Sequence, residues 1–126
     1  MAVNTKVPRE YPVAQILDVH DGDTWRVWID LGMDGTWKKA WIRLRGVRAQ
    51  ELGKPGGPEQ QVIAADVVKA HAPDGWVKVT TFWTPGTLRE IKEIMTFVRY
   101  EGLISTHSGI VLNEIVASLI PNDEGM

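Results

Sequence analysis

Apolar positions recur every second residue over the first third of the chain, shift to helical spacing near residue 60, and alternate again beyond residue 76. Val13 to His20 reads as a strand, with the adjacent Ile16 and Leu17 breaking strict alternation. Asp21-Gly22 is a hairpin signal, because both residues tolerate positive φ. Thr24 to Leu31 is a second strand rich in β-branched and aromatic residues, and Gly32-Met33-Asp34-Gly35 turns it into a third over Trp37 to Val47. Residues 1–12 carry two prolines and no periodicity and are expected to be a tail.

Gly53-Lys54-Pro55-Gly56-Gly57-Pro58 can continue neither strand nor helix. From Glu59 to Ala72 the period is helical: Ile63, Val67 and Ala70, flanked by Val62, Ala65 and Val68, form one broad apolar stripe. Pro73-Asp74-Gly75 stops that helix. Trp76 to Trp83 alternates, Val77 and Val79 against Lys78 and Thr80. Thr87-Leu88-Arg89-Glu90 has the form of a capping box, which predicts a short helix over 88–94. Met95 to Thr106 reads as a fifth strand, weakened by Gly102, and Leu112 to Ile120 as a final helix before a polar end at 121–126. Three strands, a helix, two strands and a helix make a mainly β, α+β domain over 13–120: a five-stranded OB-type barrel with a helix between strands three and four and a C-terminal helix.

At 126 residues the chain makes one core. Its net charge of −2 excludes a general polyanion field, so any site for a nucleic acid must be a local basic patch. No cysteine is present, which excludes disulfides, thiolate zinc sites and thiol nucleophiles. No signal peptide or membrane-length apolar run is seen, so a cytoplasmic location is expected. Six tryptophans, at positions 25, 28, 37, 41, 76 and 83, fall in strand-like segments. They are expected to fill the barrel, with base stacking on one of them the lesser reading.

Chemistry concentrates in Asp21-Gly22-Asp23-Thr24, Ile42-Arg43-Leu44-Arg45-Gly46-Val47, Glu51 and Phe97-Val98-Arg99. Hydrolysis of a phosphodiester builds charge on oxygens that guanidinium groups match with paired hydrogen bonds at any pH. A carboxylate must orient or deprotonate the attacking water. A hard cation held by oxygen ligands helps to neutralise the phosphate. Taken singly these segments are a hairpin tip, a solvated strand face, a loop acid and a surface arginine.

Together and in this order they resemble the staphylococcal nuclease (thermonuclease) family, over roughly residues 14–120. The matching stretches are Asp21 to Thr24, Ile42 to Glu51, Gly56 to Ala72, Phe97 to Arg99, and Ser108 to Ile120 with Leu112-Asn113-Glu114. The resemblance implies a calcium-assisted nuclease acting on DNA or RNA, single strands above all. In it Arg43 grips the phosphate, Glu51 positions the attacking water and Arg99 aids charge stabilisation. Asp23 ligates calcium with Asp21 beside it. Apart from the resemblance, Arg45, Arg48, Lys54 and Phe97 are the further candidates for contacting the nucleic acid. Arg48 and Ala49 stand where the family has a second calcium-binding aspartate and a threonine, while Phe97 and Val98 stand for a tyrosine and a glycine. At 5 Å and an effective dielectric of 20 each unit-charge pair is worth roughly 3 kcal/mol, so a guanidinium at position 48 is expected to weaken calcium binding. The family's third helix is missing from the pattern. The alternative expectation is a non-catalytic module that binds single-stranded nucleic acid or a protein partner through Arg43, Arg45, Arg48 and Lys54. His20 reads as a strand-end residue with room for a supporting role, and His71 and His107 as structural or exposed.

Overall fold

The computed structural model describes residues 8–33, 35–50, 53–82 and 99–120, residue 99 through its backbone alone. Its strands are β1 (Arg9–Asp21), β2 (Thr24–Asp30), β3 (Trp37–Leu44), β4 (Trp76–Thr81) and β5 (Arg99–Ser105). Helix α1 (Gly57–His71) lies between β3 and β4, and α2 (Leu112–Leu119) follows β5. The strands close a barrel in the order β1-β2-β3-β5-β4, with β3 and β5 parallel and every other pair antiparallel. This is the α+β, OB-type arrangement.

The barrel closes because β1 is long and bent. Residues Ala14 to Asp21 pair with β2, while Arg9 to Gln15 pair with β4. Register shifts fall between Tyr11 and Ala14, Ile16 and Asp18, and Val19 and Asp21. Bulges of this kind bend a strand enough to serve two neighbours. The Ile16-Leu17 break in the pattern marks one of them. The tail expected over 1–12 is corrected at its end: Arg9 to Pro12 belong to β1, held by pairing with Thr81 to Val79 that local periodicity does not show.

Trp25, Val27, Ala40, Ile42, Leu44, Val77, Val79 and Ile104 point inward and are buried. Ala64 and Val67 of α1 and Leu112 and Val116 of α2 join the same core. The face of α1 differs from the expected stripe. Gln60, Ala64 and Val67 are its buried residues after Gly57, whereas Val62 and Ala70 are exposed. A polar residue leads the buried row because its amide oxygen accepts the Gln50 N–H at 2.6 Å, which satisfies it inside.

The tryptophans also depart from expectation. Trp25 alone among those described is fully buried; Trp28, Trp37 and Trp76 remain 36–40% exposed, and Trp41 is half-buried. Their outward positions on β2, β3 and β4 set this, since Val27, Ala40 and Val77 take the alternate, inward positions. Trp83, the capping box at 87–90, the helix expected over 88–94 and residues 95–98 of the expected fifth strand lie outside the described residues. Among the described residues no helix is long and apolar enough to cross a membrane.

Candidate nucleic-acid interface

The connection between β1 and β2 is two residues long, Gly22-Asp23, and it lies against the loop that follows β3. Gly22 is not in the left-handed region, so the reason for glycine differs from the hairpin rule. A Cβ there would stand 2.6 Å from Ala49 Cβ and 3.0 Å from Ile120 Cδ1. Glycine is present because backbone, loop and α2 end meet at that point.

Asp21 and Asp23 are both buried. Asp21 Oδ1 accepts the Asp23 N–H at 3.1 Å. Asp23 Oδ1 accepts the Thr24 hydroxyl at 3.3 Å, Asp23 Oδ2 accepts the Ala49 N–H at 3.3 Å, and the Asp23 carbonyl accepts the Leu44 N–H at 2.7 Å. The turn therefore pins the end of β3 and the loop beyond it. Burial first, and the Asp23 side chain second, push the Asp21 carboxyl up to about 6.

A carboxyl whose folded pKa lies above its unfolded value binds protons more readily in the folded state, so its contribution to stability falls as pH rises from about 3.8 to about 6. Asparagine keeps the acceptor for the Asp23 N–H and removes the charge. Thermal melts should therefore show Asp21→Asn close to wild type at pH 4 and progressively more stable toward pH 7. A constant difference across that range would show that Asp21 keeps an ordinary pKa.

Beside this turn, Arg43 at the end of β3 and Arg45 and Arg48 in the following loop line a hollow of about 610 Å³. Its other walls are Leu44, Gly46, Val47, Glu101 of β5, and Ala117 and Ile120 from the α2 end. Among the described walls, three arginines stand with one glutamate, in a chain whose net charge is −2. Arg45 is held on two sides. Its Nε lies 3.0 Å from Glu101 Oε1 in an ion pair, and its guanidinium carbon sits 4.2 Å from the centre of the Phe82 ring. The ring supports the planar group without consuming its other N–H donors.

Asn113, at the start of α2, fixes the hollow's frame. Its Oδ1 accepts the Ile104 N–H at 2.8 Å, and its Nδ2 donates to the carbonyls of Gly102 at 2.9 Å and Arg45 at 3.0 Å. One amide thus ties α2, β5 and the arginine loop together.

Of the residues singled out in the sequence, Arg43, Arg45 and Arg48 come together in the hollow, and Asp21 and Asp23 form the adjoining turn. Arg99 opens β5, with its backbone in register with Trp41. Lys54 is exposed in the turn before α1 and is not among the hollow's walls. Glu51 and Phe97 lie outside the described residues. His20 packs edge-on against Trp41 at 5.2 Å, His107 Nε2 is 2.8 Å from the Pro12 carbonyl oxygen, and His71 is exposed at the end of α1. Glu101, Phe82, Gln60 and the strut role of Asn113 escaped sequence reasoning. Glu101 could have been found from alternation with Arg99 along β5; the other contacts are long-range and leave no local signal.

The calcium centre implied by the resemblance does not fit the described residues. No group of three or more histidine, aspartate or glutamate side chains comes together among them. Asp23 spends both oxygens on Thr24 and Ala49, Asp21 is pushed toward its neutral form, and a guanidinium stands at position 48. Calcium takes six to eight oxygen ligands, to which this turn offers two carboxylates, both already engaged within the protein. No known family model matches the sequence, and no curated protein does.

Proposed function

We propose that this domain grips the sugar-phosphate backbone of single-stranded DNA or RNA in the arginine hollow. The observation that carries the reading is the convergence of Arg43, Arg45 and Arg48 on one open cavity, in which Glu101 is the one acidic residue among the described walls. Guanidinium groups pair with phosphate oxygens through two parallel hydrogen bonds, and they do so at every physiological pH. Arg45, oriented by Glu101 and Phe82, needs little reordering to donate. A flexible single strand can bend its backbone into a recess that a stiff duplex only spans.

Hydrolysis of the bound strand is a second reading, favoured by the anchoring of Gln50, the residue before Glu51, to α1 through Gln60. In that reading Arg43 and Arg99 stabilise charge on the phosphate oxygens and Glu51 orients the attacking water.

The two readings separate in one set of measurements with a labelled single-stranded dodecamer. Anisotropy should show salt-sensitive binding that chelator leaves unchanged. Arg43→Ala and Arg48→Ala should each weaken it by about tenfold or more and flatten the salt dependence by about 0.7 in log–log slope per lost phosphate contact. Absence of binding at low salt would overturn the proposal. Gels run on the same samples, with and without calcium, decide hydrolysis. Products above the level given by Glu51→Gln establish it, and none leaves a binding domain.

A further inference from the structure

The outer faces of β2 and β3 carry a pattern that the hollow does not use. Along β3 the outward positions are Trp37, Lys39, Trp41 and Arg43, an alternation of ring and cation that ends at the hollow. Cross-strand partners on β2 repeat it out of phase: Trp28 stands opposite Lys39, and Arg26 opposite Trp41. The side chains meet accordingly. Lys39 Nζ lies 5.4 Å from the centre of the Trp28 ring, and the Arg26 guanidinium carbon 5.6 Å from that of Trp41. Arg26 is also ion-paired to Asp18, and His20 flanks Trp41. Asp30, opposite Trp37, accepts the Gly32 N–H. Trp37 leans toward Trp76 on β4, ring centres 6.4 Å apart and tilted by 59°. The helices pack on β1, on β5 and on each other, away from this face.

We propose that this face is a stacking track for the bases of the single strand whose backbone the hollow holds, a proposal that rests on the phosphate-binding reading above. Bases offer flat π surfaces of any sequence, which Trp28 and Trp37 meet with exposed rings. The cations between the rings suit a polymer that alternates planar bases with anionic phosphates. An apolar protein surface would bury each charge beside each ring at a cost, whereas a polyanion is drawn to Lys39 and Arg43. From Trp37 to Arg43 the strand runs about 20 Å, which sets a track several nucleotides long.

Anisotropy with fluorescein-labelled dodecathymidylate and with an abasic dodecamer of equal charge tests the track apart from the hollow. Wild type should bind the base-bearing strand at least tenfold more tightly than the abasic one. The Trp28→Leu/Trp37→Leu double variant should lose that preference and retain the abasic affinity. Arg43→Ala should lower both affinities together. Lys39→Ser, which leaves every ring in place, should reduce the preference in part and serves if the double variant melts early. A wild type indifferent to bases, or a double variant with the preference intact, overturns the track and leaves the hollow standing. No binding of either strand overturns both. A sedimentation dimer that Trp37→Leu dissociates would assign the face to self-association and also overturn the track.

Discussion

Replacing Asn113 by alanine should destabilise the protein by about 4 kcal/mol, since three hydrogen bonds vanish and buried backbone groups lose their partners at about 1–3 kcal/mol each. For a domain of this size that is a fall in melting temperature of roughly 15 °C. Aspartate is nearly isosteric but should be worse. It still accepts the Ile104 N–H, yet it turns an oxygen toward the carbonyls of Gly102 and Arg45 and brings a charge into a buried site. Urea or thermal unfolding of the two variants measures this order. Near-wild-type stability for Asn113→Asp would show that the strut is not required. Because the Arg45 carbonyl is one of the three partners, the alanine variant should also loosen the arginine loop. Its affinity for single strands should fall even at temperatures where it stays folded.

Gly22→Ala should cost about 2–3 kcal/mol and with it most of the nucleic-acid affinity. The added methyl would overlap Ala49 Cβ, which is fixed to the backbone and cannot swing aside. Relief requires the 47–50 loop to move out. That movement breaks the Asp23–Ala49 and Gln60–Gln50 hydrogen bonds and displaces Arg48 from the hollow. Stability and binding are therefore expected to fall together here, whereas Arg43→Ala lowers binding alone. Melting curves and anisotropy on the same two variants separate the cases. A Gly22→Ala protein that binds like wild type would show that the loop accommodates the methyl.

The barrel was legible in the sequence because strands with one buried face print their period directly: Val77 and Val79 in, Lys78 half-out. The Ile16-Leu17 interruption even marked a bulge. What the pattern could not show was which outward residues water would reach. A tryptophan on an alternating strand reads the same whether it faces the core or solvent until its neighbours' parity is fixed, which is why the pattern alone places Trp28 and Trp37 inside, whereas both are exposed. Gln60 fails in the opposite sense: a polar residue in a helix looks solvated unless the loop amide that satisfies it is known. Gly102 looked like a weak point in a strand, yet a Cβ there would come within 2.7 Å of the Thr80 carbonyl oxygen, so it permits a close strand approach. Of the site, the arginines of one contiguous segment were legible together. The amide that frames them, the ring beneath Arg45 and the opposing Glu101 come from distant parts of the chain.

The parallel seam between β3 and β5 joins Trp41 to Arg99 and Leu44 to Gly102, segments separated by the whole of α1 and β4. A growing chain that has completed β1 to β3 and the loop up to residue 50 already carries Arg43, Arg45 and Arg48, but it has no opposite wall. The hollow comes into being when the C-terminal strand and helix dock. Any fluctuation that peels β5 from β3 opens the barrel and dismantles the arginine hollow in the same event. Occupancy of the cleft and closure of the fold are thus one equilibrium, and any ligand that binds across the seam would act as a clasp on the entire molecule.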